Sequence, residues 1–162
     1  MASLAYAEAL AAAVRIEGNG AAFYRKAAAA AVDPDTAETF GTLAKWEEEH
    51  RGYFSALALE LEQRESLFLN DPKGEFASRV RDMADAGVYD LKRDVEAFFG
   101  GRRSQRDAVK FALGIEKDSV IFYLGLQEAM ADAEESLKVG GIIKEEMRHI
   151  SILSALLKRL KD

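Results

Sequence analysis

Cysteine is absent from this 162-residue chain. That excludes disulfides, thiolate zinc sites and all-thiolate iron sites within it. Positive charge is in deficit: 22 Lys and Arg against 28 Asp and Glu leave a net charge of -6. The pI is near 5.1. A nucleic-acid binder needs a basic face to neutralise phosphates, so that class is excluded. No uninterrupted apolar run approaches a membrane span of about 20 residues. The alanine-rich start MASLAYAEALAAAVRIEG lacks a basic leader and carries Glu8 inside its apolar run. It reads as the first helix of the fold rather than a secretion signal, and the expected location is the cytoplasm.

Proline is also scarce, with two residues, and the β-branched alternation of strands is missing. What is present is Ala, Leu, Glu, Lys and Arg, at 49% hydrophobic composition, enough for an all-α domain with a proper core. The expected unit is one domain over 1–162, built as a hairpin over 3–66, a connector over 67–103 and a second hairpin over 104–160. The first helix runs from Ser3 to Ala31 and stops at Asp33-Pro34-Asp35. Asp33 or Asp35 caps a second helix that runs to Ser66. A third starts at the N-cap Ser104 and ends at Ala131, and a fourth covers Glu135 to Leu160. In the fourth, Gly140-Gly141 marks a later start or a bend. The connector, opened by DPKG, has room for short helices over Glu75–Ala86 and Leu91–Phe98. Short loops inside each pair and one long crossover between pairs specify a four-helix bundle.

The second helix carries an anomaly. Steps of three and four trace a seam through Phe40, Leu43, Glu47, His50, Phe54, Leu57 and Leu61, with ionisable residues where leucine belongs. The fourth helix repeats it: Val139, Ile142, Glu146, His149, Leu153, Leu156 and Leu160. The offset is 99 residues, and it also relates Glu17 to Glu116 and Tyr24 to Tyr123 within IEGNGAAFY and IEKDSVIFY. Two hairpins related by an approximate two-fold axis bring four glutamates to one level of the core.

Taken singly, each residue has an ordinary explanation. A lone core histidine is usually hydrogen-bonded, a seam glutamate can snorkel to water, and a core tyrosine needs only a partner for its hydroxyl. Glu48 and Glu49 face solvent on this reading. Jointly the pattern differs, because both histidines of the chain fall in Glu-x-x-His at equivalent places and no Lys or Arg lies on the seams. Four uncompensated buried carboxylates would cost many kcal/mol. Two divalent cations would neutralise them, and two imidazoles would add neutral ligands. Glu17, Glu47, His50, Glu116, Glu146 and His149 are therefore the candidate metal ligands. Carboxylate and imidazole donors without thiolate favour iron or manganese, with zinc also accommodated.

These residues resemble those of ferritin-like di-iron carboxylate proteins, specifically the four-helix domain of the rubrerythrin family. The likeness rests on Glu17 with Tyr24, Glu47-x-x-His50, Glu116 with Tyr123, and EEMRH with Glu146 and His149. It implies two iron ions per chain, with Glu17 and Glu116 as terminal ligands, Glu47 and Glu146 as bridges, and one histidine on each metal. It also implies that Tyr24 and Tyr123 donate hydrogen bonds that orient ligand carboxylates. Two features depart from the family. There are no cysteines for a rubredoxin-like domain, and Ser119 stands where an extra carboxylate would follow the third-helix glutamate. The implied activity is that of a non-haem di-iron oxidoreductase acting on peroxide or oxygen, or else iron binding and storage without turnover. The implied partners are a second copy or larger homo-oligomer and an external electron donor, with neither nucleic acid nor membrane.

Overall fold

The computed structural model of the protein describes residues 2–61, 73–76, 78–79, 91–101 and 103–160. Among the described residues are the long helices α1 (Ala2–Ala30) and α2 (Pro34–Leu61), the nine-residue α3 (Leu91–Phe99) and the long helices α4 (Gln105–Ala129) and α5 (Ala133–Arg159), with no strand. α1 packs along α2 and α4 along α5, and the two hairpins meet through α1 with α4 and α2 with α5. The result is a four-helix bundle.

Local chemistry sets the helix ends. Asp33 caps α2: its carboxylate accepts from the backbone N–H (2.9 Å) and the hydroxyl (2.6 Å) of Thr36. Pro34 occupies the first helical position, where its missing N–H costs nothing. Ser104 and Asp107 cap α4 reciprocally as a capping box. α5 begins two residues before the expected Glu135, because the Asp132 side chain accepts from the Glu135 N–H at 3.0 Å. α1 ends at Ala30 and α4 at Ala129, each short of the expected end. α5 runs unbroken through Gly140 and Gly141, so the helix does not start late there. Gly140 is instead a close approach: a Cβ on it would lie 2.5 Å from the Gln127 amide, which donates to the Ser136 carbonyl at 2.9 Å. Of the connector helices, α3 matches the expected position with one more residue, and residues 75, 76, 78 and 79 are helical. The remainder of the Glu75–Ala86 helix, and residues 62–66 of the second helix, lie outside the described residues.

The repeated Phe-Tyr pair shows how the crossover is held. Tyr24 and Tyr123 point into the bundle, and the preceding Phe23 and Phe122 are buried on the next face. Phe23 packs on Phe98, Phe99 and Phe111 at ring distances of 5.9, 5.6 and 5.1 Å, while Phe122 meets Phe76 at 6.4 Å. Each buried ring contributes about 1.5–3 kcal/mol, so both ends of the connector are fastened by copies of one repeat residue. The apolar core forms two clusters, one around Leu10, Phe54, Leu126 and Val139 and one around Phe40, Leu43, Val109 and Leu153. Between them lies a polar layer.

Candidate metal centre

That polar layer is made of the six residues at the middle of the four seams. Glu17 comes from α1, Glu47 and His50 from α2, Glu116 from α4, and Glu146 and His149 from α5; each is 4% exposed or less. Helical spacing dictates the contributions, since residues three apart share a face and Glu-x-x-His presents both groups inward together. The layer resolves into two tetrads, Glu17–Glu47–His50–Glu146 and Glu47–Glu116–Glu146–His149, in each of which one donor atom per residue lies within 4.8 Å of the others. Glu47 and Glu146 belong to both.

Each histidine faces carboxylates of both hairpins. His50 Nδ1 lies 2.8 Å from Glu146 and 3.5 Å from Glu17, and His149 Nδ1 lies 3.1 Å from Glu47. His149 Nδ1 also approaches Glu146 at 3.1 Å and Glu116 at 3.5 Å. Yet His50 Nδ1, His149 Nδ1, Glu17 Oε2, Glu47 Oε1 and both Glu146 oxygens are buried without a hydrogen bond of proper geometry. In each tetrad they crowd within 4.8 Å of one another. Atoms with such donor chemistry and no protein partner fit cations, which satisfy several lone pairs at once.

Electrostatics records the strain of so much charge in one layer. Burial, reinforced by Glu17, Glu116 and Glu146, pushes the Glu47 carboxyl well above the usual range. Burial likewise raises Glu116 to about 8. Burial would also raise Glu146, but contacts with His149 and His50 outweigh it and hold this carboxylate below the usual range. Burial alone would lower the imidazoles; carboxylate contacts override it and lift His50 to about 11 and His149 to about 9.

Tyr24 and Tyr123 cross between hairpins. The Tyr24 hydroxyl on α1 donates to Glu116 Oε1 on α4, and the Tyr123 hydroxyl on α4 donates to Glu17 Oε1 on α1. Each bond holds one oxygen of a carboxylate and turns the other into the layer. Ser119 is buried but donates its hydroxyl to the Ile115 carbonyl at 3.1 Å, away from the six.

Several participants escaped the sequence reading. A Cβ at Gly20 would sit 3.0 Å from Glu47 Oε2, so glycine gives that carboxylate its space. The outward nitrogen of His50, Nε2, lies 2.7 Å from Glu145. Trp46 stacks on His149 at 5.2 Å with rings 6° apart. Glu48, expected to be solvated, is half-buried and paired with Arg25 at 2.9 Å and Arg51 at 3.1 Å. Doubling the 99-residue comparison to flanking positions would have singled out 46 and 145, since they are images of each other.

Residues 8–157 match the rubrerythrin family. The chain belongs to that family. Among solved structures, this rubrerythrin-family chain is similar to a Thermotoga maritima protein described as a putative ferritin-like diiron-carboxylate protein, at 20% identity, a TM-score of 0.66 and 95% coverage of both chains. At that identity the likeness speaks for the fold alone. No curated protein matches the sequence. No helix of the described residues is long and apolar enough to cross a membrane.

Proposed function

We propose that this rubrerythrin-family chain holds two iron ions and acts as a non-haem di-iron oxidoreductase toward peroxide or oxygen. The carrying observation is the pair of overlapping tetrads that share Glu47 and Glu146. Glu17 and His50 complete one half, and Glu116 and His149 complete the other. Glu47 and Glu146, common to both tetrads, would be held in common by the two ions, whose charge would neutralise the four glutamates. The oxygen and nitrogen donors suit iron or manganese and exclude thiolate selectivity. When bound, a ferrous pair supplies two electrons, one from each iron, enough with two protons to reduce peroxide to water.

The chain's own residues do the rest. Tyr24 and Tyr123 hold the terminal glutamates in one orientation, so that ligands are in place before the metal arrives. The two apolar clusters above and below the layer exclude water from it. Regeneration after peroxide reduction requires an external donor of two electrons, since each peroxide leaves the pair two electrons short.

The test is an anaerobic ferrous titration followed by separate challenges with oxygen and peroxide. Two ferrous ions bound per chain, and oxidised at a rate well above free iron by one of the two, is the expected result. Two ions bound without faster oxidation would make the chain an iron-binding protein without turnover.

A further inference from the structure

The 99-residue repeat makes the two halves of the layer near-copies, so a departure from the repeat beside a ligand marks a built-in difference. Residues 46 and 145 are such a departure. Each precedes the glutamate of Glu-x-x-His, and each reaches across to the histidine of the other hairpin. One is Trp and the other Glu.

We propose that the two half-sites are inequivalent and fill in order, with Glu17–Glu47–His50–Glu146 taking its metal first because Glu145 orients His50. This rests on the two-metal reading above. An ionised carboxylate can only accept, so Glu145 Oε2, 2.7 Å from His50 Nε2, selects the tautomer with the proton on Nε2. The proton that metal displaces is then the one on Nδ1, which faces Glu146 at 2.8 Å and Glu17 at 3.5 Å. Glu145 thereby holds the ring orientation of His50 and keeps Nε2 protonated when Nδ1 is freed. His149 receives a different neighbour. Trp46 lies parallel to it, and Arg148 lies over the Trp46 ring at 5.1 Å. This stack sets the plane of His149, but an indole has no acceptor and selects no tautomer. Carboxylates behind a metal-binding histidine are worth about 10- to 100-fold in metal affinity. Glu145 is 61% exposed, which places its contribution toward the lower end of that range.

Cobalt(II), which resists oxidation here, is the probe. It is titrated anaerobically into the full chain and followed by calorimetry and by its visible absorption. Two steps of one metal each are expected, with dissociation constants at least about ten-fold apart. His50→Ala should remove the tighter step and His149→Ala the weaker. Glu145→Ala should weaken the tighter step about ten-fold and merge the two. Glu145→Gln, whose amide oxygen still accepts from Nε2, should keep most of the separation, which loss of surface packing alone would not explain. Equal steps in the unaltered chain, or a separation that survives Glu145→Ala, would overturn the ordered loading while leaving two metals bound. Fewer than two cobalt ions per chain would overturn the two-metal reading, and the ordering with it.

Discussion

The hydroxyl of Tyr24 on α1 is donated to Glu116 on α4, 92 residues away, and its repeat image Tyr123 returns the same bond to Glu17. Each hairpin therefore supplies the donor that aims a glutamate of the other. Burial and the adjoining carboxylates raise both phenols well above their ordinary pKa, so both remain donors at every physiological pH. Tyr24→Phe and Tyr123→Phe keep the ring packing and remove the donor. Each variant should retain its metal with affinity about 10- to 100-fold weaker, read by competition with a chelator of known affinity. Unchanged affinity in both would show that the glutamates need no such holding.

Stoichiometry tests the paired site directly. Elemental analysis after ferrous loading should give two metals per chain, and His50→Ala and His149→Ala should each fall toward one. Oxidation with oxygen or peroxide should drop sharply in either variant, because the two-electron step draws on adjacent irons. Glu49 is exposed and Glu48 pairs with arginines, so alanine at either position should leave the count at two.

Metal-free protein should lose stability as pH rises. Glu116, raised from 4.5 to about 8, contributes stability that is complete below 4.5 and lost as pH climbs through 8. His149 and His50, raised from 6.5 to about 9 and about 11, have the same sign and extend the loss upward. Glu146, held low, acts oppositely and loses its contribution only as pH falls below 4.5. The melting temperature without metal should thus decline from pH 5 to pH 9. Bound metal should flatten that decline, since it favours the native, deprotonated ligands. A flat metal-free profile would contradict the buried charge.

Metal binding should release protons. At pH 6.5 Glu116, His50 and His149 each hold a proton that ligation must displace. Calorimetric titration in buffers of different ionisation enthalpy should count several protons per pair of metals. Apparent affinity should fall steeply below neutral pH.

Gly20→Ala separates site from scaffold. The new methyl would meet Glu47 Oε2 at 3.0 Å in a layer that leaves this carboxylate little room to yield. Metal affinity should fall. Helix α1 itself gains up to about 1 kcal/mol from replacing glycine by alanine. A metal-free melting temperature held or raised, alongside weaker metal binding, is the expected signature.

The sequence by itself determined the four long helices, their pairing into hairpins and the level at which six ionisable residues meet. The reason is periodicity. Seams at steps of three and four fix which face turns inward, and the 99-residue offset ties Glu47 and His50 to Glu146 and His149. Helix ends were read less closely: α5 starts two residues before Glu135 because the Asp132 side chain caps it, and several residues near a helix end can serve as the cap. Tertiary structure alone decided which residues of neighbouring helices meet. Glu145 reaching His50, Trp46 stacking on His149 and Gly20 yielding space to Glu47 are contacts between different helices. The rotation and depth of packing that create them arise from whole interlocking surfaces, such as Phe23 against Phe98 and Phe111, which no single helix pattern carries. Periodicity names the inward face of a helix; only packing determines which residue of the neighbouring helix it meets.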